Sequence, residues 1–333
     1  MISQTPETDF PITFFEDTAV MELPNRIAVL EAVAFKKAFQ YLLSLQDTLP
    51  EQIVLDCNKT TFIDSSGIGA LVSNLKLARE KEIELILKHV HPPVMAVLAI
   101  TGLDQALKIQ SQVQNPTASS KRLSEKHLPT THPSVRSWVK RSIDIVGSII
   151  GLVITGVLFV PIAIAIEIDS PGPLFFGQIR CGWMGKRFKI WKFRSMCLDA
   201  EAMKAKVKNQ ASGAIFKNEN DPRVTRVGRF LRRTSLDELP QFWNVLKGEM
   251  SLVGTRPPTP NEVDIYEVPE WQRLDVKPGM TGEWQVNGRS QVKNFEDVIK
   301  LDLRYQENWS LMYDFKLIAK TILILFQKNS GAY

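Results

Sequence analysis

The pattern of apolar and polar positions changes character along the chain. Between residues 11 and 112, short apolar runs alternate with segments of helical spacing. The runs predict strands at 12–15, 19–23, 53–56 and 83–88. The segments predict helices at 25–45, 66–81 and 93–100. Because such alternation is typical of α/β layer packing, the pattern predicts an α/β domain over residues 1–112.

A polar stretch separates this domain from a long apolar segment. Residues 113–135 are rich in Pro, Ser, Thr, Lys and His and show no apolar period, which predicts a linker. Residues 145–166 then contain no charged side chain and are long enough to reach across ~30 Å of hydrocarbon. We expect a membrane helix over 143–168, near the start of a second domain that covers 136–333.

Pro161 interrupts the apolar segment. It lacks the N–H that would bond the carbonyl of Val157, so a kink is favoured here. Basic side chains flank the segment on both sides, namely Arg136, Lys140 and Arg141 before it and Arg180, Lys186, Arg187 and Lys189 after it. Because positive charge favours the cytoplasmic side, both ends are expected there. A bent, re-entrant helix satisfies both observations; a straight spanning helix is the alternative, since spanning helices tolerate proline.

The rest of the pattern indicates an α+β domain with helices at a membrane surface. Apolar runs at 175–179 and 187–193 flank a glycine-containing turn and predict a hairpin. A polar helix is expected at 199–208. Two further segments, 224–233 and 309–326, combine basic and apolar side chains in the way that helices in the headgroup layer do.

Charge divides unevenly between the two halves. Residues 1–112 hold 14 acidic and 9 basic side chains, whereas the remainder holds 22 acidic and 32 basic. A basic domain behind an apolar segment suits anionic lipids and phosphate substrates. No nucleic-acid recognition motif accompanies the charge, so nucleic acid is not expected as a partner. The three cysteines lack CxxC spacing and indicate neither a disulfide framework nor a zinc site.

The candidate chemistry centres on two adjacent carboxylates, Asp237 and Glu238, with Arg232 before them and Arg256 after them. No histidine follows His132, so a base in this region must be a carboxylate, Lys, Tyr or Cys. A carboxylate can attack phosphorus and form an acyl phosphate, which divides one difficult transfer into two steps. The structural alternative is that 235–238 is only a capping box at the start of a helix.

Lys192 and Arg194 occupy alternate positions of a β-like run. Both side chains are therefore expected to face the same side. They would lie either in the site that contains the carboxylates or on a solvated basic face.

Several blocks of the second half resemble the bacterial sugar transferases, the monotopic polyprenyl-phosphate phosphoglycosyl transferases. They occur in the family's order and lie at 140–144, 170–173, 192–196, 235–241, 254–257 and 278–289. The resemblance implies transfer of a sugar-1-phosphate from a UDP-sugar to undecaprenyl phosphate, with release of UMP. It implies a re-entrant enzyme at the cytoplasmic face of the bacterial inner membrane, in contact with lipids, at the first membrane step of exopolysaccharide or O-antigen assembly.

The resemblance also implies roles for single residues. Asp237 would be the nucleophile that carries the phosphosugar, and Glu238 with Asp237 would bind Mg²⁺. The implied phosphate-binding residues are Lys192, Arg194, Arg232 and Arg256. Residues 278–282, which contain proline and two glycines, predict a turn. The implied nucleotide-sugar pocket contains Thr281, Gln285 and Arg289.

The first domain resembles the STAS domain of anti-sigma-factor antagonists, over residues 10–112. The resemblance rests on the order of strands and helices and on Ile63-Asp64-Ser65-Ser66-Gly67-Ile68-Gly69 at a strand-to-helix junction. It implies that Ser65 is phosphorylated and that the domain binds a protein partner or a second copy of the chain. The alternative is that Ser65 and Ser66 only cap the helix.

The sequence leaves two other functions open. The first is a membrane-anchored STAS signalling protein without transferase activity, although an anchor needs no cluster of acids and arginines. The second is a metal-dependent phosphatase with an aspartyl nucleophile, which would release free phosphate and not UMP. No DxD motif at a strand end supports the second function.

Overall fold

The computed structural model describes residues 10–44, 49–110, 131–203, 207, 209–210, 218, 220–287 and 294–326. These residues form two compact units. The first contains the described residues up to Thr131 together with two segments from later in the chain, Met184–Lys186 and Tyr266–Asp275. The second contains His132–Trp183, Arg187–Ile265 and the described residues from Val276 onward. Arg289 and residues 113–130 of the predicted linker lie outside the described residues.

The first unit is an α/β layer structure, as predicted. Its elements are β1 Ile12–Phe15, β2 Thr18–Glu22, β3 Arg26–Ile27, α1 Val29–Leu42, β4 Gln52–Asp56, β5 Phe62–Ile63, α2 Ser65–Glu80, β6 Glu84–Lys88, α3 Pro92–Thr101, α4 Leu103–Ala106 and β7 Lys108–Gln110. A 3₁₀ helix over Val268–Leu274 belongs to the same unit. The described strands form a sheet in the order β1-β2-β4-β6-β7, parallel except for the antiparallel pair β1 and β2.

The central strand β4 shows why this sheet needs helices on its faces. Its three consecutive apolar residues, Ile53, Val54 and Leu55, are all buried. A strand buried at successive positions is covered on both sides, as is typical of parallel sheets. Helix α1 packs against α2, and β3 pairs with β5 in a separate two-residue parallel ladder.

Helix α2 begins at the predicted junction, but its cap differs from the predicted alternative. The carboxylate of Asp64 accepts a hydrogen bond from the Gly67 N–H at 2.9 Å and so caps the helix. Ser65 and Ser66 lie inside the first turn and are fully buried. The prediction that the serine hydroxyls cap the helix is therefore wrong, because the acid that precedes them satisfies the free N–H.

The second unit is an α+β structure, as predicted. Its elements are α5 Pro133–Arg136, α6 Trp138–Asp169, β8 Phe175–Cys181, β9 Arg187–Phe193, α7 Ala200–Met203, α8 Arg226–Thr234, a 3₁₀ turn Leu236–Glu238, α9 Gln241–Lys247, β10 Ser251–Val253, α10 Pro260–Val263, β11 Gly279–Thr281, α11 Glu283–Asn287, α12 Phe295–Glu307 and α13 Leu311–Phe326. The predicted hairpin is present, since β8 and β9 pair antiparallel from Phe175–Phe193 to Cys181–Arg187. Of the polar helix predicted at 199–208, the structure describes Ala200–Met203.

Helix α6 is long and apolar enough to cross a membrane, by length and composition. Its backbone stays helical through Pro161. The polar and small residues Lys140, Asp144, Ser148 and Gly151 are buried, whereas apolar side chains such as Val157, 73% exposed, point outward. In the most apolar 18-residue stretch of the helix, only 17% is buried. This inverted pattern fits a helix whose outer surface faces lipid.

The first turns of α6 are tied to the rest of the second unit by buried polar groups. The Lys140 ammonium donates to Asp314 Oδ2 at 2.5 Å and to the Val253 carbonyl at 3.0 Å. Asp144 Oδ1 accepts from the Ser251 hydroxyl at 2.9 Å. The 140–144 block of the sequence therefore anchors α6 to β10 and α13.

Strand β11 replaces a turn predicted at 278–282. It runs parallel to β10, with Ser251 opposite Gly279 and Val253 opposite Thr281. A Cβ on Gly279 would lie 2.1 Å from the backbone nitrogen of Gly254, so this close approach requires glycine. The glycines that suggested a turn instead allow two short backbone segments to come together.

Candidate active site

The two carboxylates lie in a tight turn between helices α8 and α9. Helix α8 ends at Thr234, and Ser235 follows in the left-handed region with φ 56°. Ser235 makes no side-chain capping bond to the 3₁₀ turn Leu236–Glu238. The predicted capping box is therefore wrong, because Ser235 closes the preceding helix and lacks the extended backbone of an N-cap residue.

Two leucines fix this turn in place. Leu236 and Leu239 flank the acidic pair and pack against an apolar cluster formed by α6, β9 and α8. The cluster contains Ile162, Ile166, Phe193 and Leu231. Since the leucines are held on the protein side, the intervening acids are positioned by packing and not by a flexible loop.

Basic side chains meet the acids here. Lys192, on β9, donates to Glu238 Oε1 at 2.7 Å. Arg232, on α8, donates through Nε to the Ser195 hydroxyl at 2.9 Å. Asp237 is only 6% exposed, and its burial raises the pKa of the carboxyl, while the charges of Lys192 and Arg232 oppose that rise.

A close backbone contact sets the position of Arg232. At Gly228, within α8, an added Cβ would lie 2.0 Å from the Ser195 carbonyl oxygen. Glycine therefore allows α8 to approach the segment that follows β9. Arg232 lies one helical turn after Gly228 and therefore reaches the Ser195 hydroxyl. Asp237 follows α8 and lies beside Lys192.

A second basic group lies on the same unit. Arg256 forms a two-point ion pair with Glu262, at 2.7 and 3.1 Å. Arg180, on β8, donates to the Pro257 carbonyl at 2.9 Å and to the Gln178 side-chain oxygen at 2.6 Å. Burial and the charge of Arg256 lower the pKa of Arg180 to about 10, so it remains protonated at neutral pH. The charges of Glu262 and Glu238 raise the pKa of Arg180 and so oppose this decrease.

The sequence analysis assigned Arg180 only to the basic flank of the membrane helix. The structure shows a half-buried cation held by two neutral oxygens and influenced by Glu238, which makes it a candidate phosphate contact. Its position directly after the apolar run 175–179 was the available signal, but its neighbours become visible only after folding.

The other predicted residues have separate surroundings. Arg194 is buried, and its guanidinium donates to the carbonyls of Ser170 and Pro171 at the end of α6. It thus has different partners from Lys192. The Thr281 hydroxyl bonds that of Thr321 on α13 at 2.6 Å. Gln285 Oε1 is buried and has no hydrogen-bond partner within the described part of the chain.

The donor set at the acidic pair is compatible with Mg²⁺. Magnesium takes one or two protein carboxylates and completes its octahedral shell with water and substrate phosphates. Asp237 and Glu238 are adjacent, and the Glu238 side chain is 34% exposed. No cluster of three or more His, Cys, Asp or Glu side chains suited to a metal occurs among the described residues. Any ion here would therefore depend on these two acids and on the substrate.

Family models match both halves of the chain. The bacterial sugar transferase model matches residues 135–328, more than half of the chain, and the STAS domain model matches residues 11–115. The chain belongs to the bacterial sugar transferase family, with a STAS domain before the transferase region. Both resemblances drawn from the sequence are confirmed.

Three relatives illustrate the similarity. Galactosyl transferase CpsE of Streptococcus agalactiae is 48% identical over 188 residues, which make up 56% of this chain and 42% of that protein. The UDP-glucose:undecaprenyl-phosphate glucose-1-phosphate transferase of Escherichia coli is 42% identical over 206 residues, 60% of this chain and 42% of that protein. Exopolysaccharide production protein ExoY of Rhizobium meliloti is 37% identical over 194 residues, 56% of this chain and 85% of that protein. The chain thus spans less than half the length of the first two relatives.

Proposed function

We propose that this chain transfers a sugar-1-phosphate from a UDP-sugar to undecaprenyl phosphate through a covalent phosphosugar on Asp237. The observation that carries the proposal is the geometry of the acidic turn. A buried carboxylate lies beside a second carboxylate, and Lys192 and Arg232 supply adjacent positive charge. The names of the relatives from Escherichia coli and Streptococcus agalactiae support this chemistry.

The proposed reaction has two balanced steps. In the first, a carboxylate oxygen of Asp237 bonds to the sugar-bearing phosphorus, and the bond from that phosphorus to the UMP oxygen breaks. In the second, a phosphate oxygen of undecaprenyl phosphate attacks the same phosphorus and releases the Asp237 carboxylate. The product is a lipid-linked diphosphosugar. Division into two displacements lowers the barrier of each step.

The basic side chains have distinct tasks in this scheme. Lys192 and Arg232 keep Asp237 ionised in spite of its burial and stabilise charge at the transferred phosphoryl group. Arg180 suits the remaining phosphate, because a guanidinium can bond two phosphate oxygens at once. Arg256 would add positive charge there while its guanidinium stays paired with Glu262. Asp237 and Glu238 would hold Mg²⁺, which supplies charge neutralisation of the diphosphate when bound. Glu238 would also orient the acceptor phosphate.

The membrane acceptor explains the long apolar helix. Undecaprenyl phosphate keeps its phosphate at the lipid surface, so the acidic turn must lie near that surface. Leu236 and Leu239 pack on Ile162 and Ile166 of α6, which joins the turn to the apolar helix. We propose a re-entrant α6 at the cytoplasmic face of the inner membrane, with sugar nucleotide supplied from the cytoplasm.

The test is release of UMP by the purified full chain in lipid nanodiscs with undecaprenyl phosphate and Mg²⁺. A panel of UDP-glucose, UDP-galactose and their N-acetylated counterparts identifies the sugar. We expect UMP with at least one donor and a loss on the order of 10³-fold or more in Asp237→Asn. Arg232→Met should reduce the rate strongly, whereas the exposed neighbour Arg233→Met is the matched control and should not.

Two outcomes would overturn the proposal. Release of free phosphate without UMP would indicate the phosphatase alternative. A folded, membrane-bound chain that turns over no donor in a complete UDP-sugar panel would favour the signalling alternative. The Asp237→Asn variant distinguishes a contaminating activity from that of this chain.

A further inference from the structure

The first turn of helix α2 is covered by residues from much later in the chain. The Ser65 N–H donates to Asp275 Oδ1 at 3.1 Å, and the Ser65 hydroxyl lies 3.4 Å from the Met184 sulfur. Ser65 itself has no exposed surface. Asp275 and Met184 both belong to the first unit, although they lie more than 100 positions along the chain from Ser65.

Residues 266–275, here called the docked segment, make several further contacts within the first unit. The Trp271 ring lies against Gly69 of α2, where an added Cβ would be 2.6 Å from ring atoms. Glu267 pairs with Lys36 of α1 at 2.7 Å. Thr131 donates its hydroxyl to the Asp275 carbonyl at 2.6 Å. An aromatic anchor, an ion pair and the bond from the Ser65 N–H thus hold the segment to α1 and α2, and Thr131 adds a further hydrogen bond.

The docked segment also has its own internal order. Arg273 is fully buried and donates to the Tyr266 hydroxyl at 2.7 Å. Trp271, Val268 and Leu274 are buried as well. The segment therefore presents a preorganised surface, which reduces the entropy lost on docking.

We propose that the α1–α2 face of the STAS domain is an interaction surface whose partner is the docked segment of the same chain, and that negative charge at position 65 releases it. The proposal goes beyond transferase chemistry and does not depend on it. Ser65 is the residue that the STAS resemblance implies as a phosphorylation site. In this arrangement a modified Ser65 and a docked segment are mutually exclusive.

The charges around Ser65 explain this exclusion. Asp64 lies before it and Asp275 lies against its N–H. Burial, followed by the charge of Asp64, raises the pKa of Asp275 to about 7, and burial raises the pKa of Asp64 as well. The site already disfavours two negative charges. A phosphate on Ser65 would add about two more in a buried position.

The contact between the Ser65 hydroxyl and the Met184 sulfur leaves no room for a larger group, so size contributes too. Variants that separate size from charge are therefore needed. Ser65→Gln adds bulk without charge, and Ser65→Glu adds nearly the same bulk with a charge. Ser65→Ala removes only the hydroxyl and keeps the N–H that bonds Asp275.

The experiment measures hydrogen exchange of amides 266–275 in the full chain in nanodiscs. We expect a tenfold or greater loss of protection in Ser65→Glu, a smaller loss in Ser65→Gln and almost none in Ser65→Ala. Asp275→Asn combined with Ser65→Glu should recover part of the protection. Equal protection in Ser65→Glu and Ser65→Gln would overturn the proposed role of charge. Amides of β4 and β6 report whether the first unit stays folded.

A second test does not depend on Ser65 and identifies the partner. Cysteines at positions 36 and 267, on a background with Cys197 replaced by serine, should be joined by a short bismaleimide cross-linker, because Lys36 and Glu267 are in direct contact through the ends of their long side chains. A cross-linked monomer at all protein concentrations supports docking within one chain. A cross-linked dimer would show that a second copy supplies the segment, and no cross-link would show that the surface is not occupied. Either of these results would overturn the proposal.

Discussion

Asp237 and Glu238 are the same kind of group in different surroundings. Asp237 is almost fully buried, and burial raises the pKa of its carboxyl. Glu238 is 34% exposed and bonded to Lys192. The environment thus fits the different roles proposed for the two acids, a desolvated nucleophile and a neighbour accessible to metal and acceptor.

Arg180 provides a test at the scale of one residue. Its guanidinium is held by neutral oxygens, so its charge is available to a phosphate. Arg180→Met should lower kcat/KM for the UDP-sugar by about 10- to 100-fold, the value of a charged hydrogen bond. Arg187→Met, at an exposed position of the neighbouring strand, is the control and should leave kcat/KM unchanged. Equal kinetics for the two variants would remove Arg180 from the site.

The sequence predicted part of this site and not the rest. Asp237, Glu238, Lys192 and Arg232 follow from a local cluster of charge and from family blocks. Arg180 does not, because its role depends on Arg256 and Pro257, more than 70 positions away. Placement of Arg194 under the end of α6 likewise depends on tertiary packing.

At the scale of elements, helix α6 joins the acidic turn to the rest of the second unit. Lys140 joins its start to α13 through Asp314, with both side chains 8% exposed. Asp314 also accepts from the Tyr305 hydroxyl at 2.9 Å. A buried pair with additional hydrogen bonds fixes the orientation of two elements, and loss of either partner leaves an uncompensated buried charge.

Lys140→Met should therefore destabilise the second unit by about 3–5 kcal/mol. The pair Lys300–Asp297 serves as control, since its side chains are 71% and 53% exposed. Lys300→Met should change stability by less than about 1 kcal/mol. Denaturant titration in nanodiscs measures the free energy of unfolding of both variants. Similar values for the two variants would show that the buried pair does not anchor α6.

The topology of α6 is a separate prediction. Single cysteines at exposed positions 136 and 173, on a background with Cys197 replaced by serine, should both react with an impermeant reagent from the cytoplasmic side. The physical reasons are Pro161 and the basic flanks. Reaction from opposite sides would establish a spanning helix. It would also separate the acidic turn from cytoplasmic UDP-sugar.

Element length decided which parts of the fold the pattern could predict. Long strands and helices were found to within a few residues, for example α2 and β9. The three-residue strands β10 and β11 are too short to show a period, and their glycines suggested a turn. Helix α12 was not predicted, although Asn294 caps it and Phe295, Val298 and Ile299 form its buried side.

At the scale of the whole molecule, the division of the chain does not follow the linker alone. The sequence pattern predicts a linker at 113–135 between the STAS domain and the second domain. The structure instead includes residues 266–275 in the first unit, just before β11 in the chain. A sequence pattern cannot show that residues 266–275 belong to the first unit, because the docked segment has the pattern of any short helix with a buried tryptophan.

Docking should depend on pH with a defined sign. The pKa of Asp275 is raised to about 7 when the segment is docked, so docking takes up a proton above the ordinary carboxyl range. Asp64 faces the same site, and burial raises the pKa of its carboxyl. The charge of Arg26 lowers this pKa and the charge of Glu31 raises it. Protection of amides 266–275, corrected for intrinsic exchange, should be greatest near pH 4 and fall as pH rises to about 7. Asp275→Asn should flatten this profile. A profile that rises with pH in the parent chain would contradict this account.

The central claim is that Asp237 carries the phosphosugar, and intact-protein mass spectrometry tests it most directly. The purified chain is incubated with its UDP-sugar and Mg²⁺ but without undecaprenyl phosphate, so that the second step cannot proceed. The account predicts a mass increase of one phosphosugar on the peptide that contains Asp237, and its loss when undecaprenyl phosphate is added. Asp237→Asn should show no increase. An adduct on another residue, or substantial turnover by Asp237→Asn, would contradict the account.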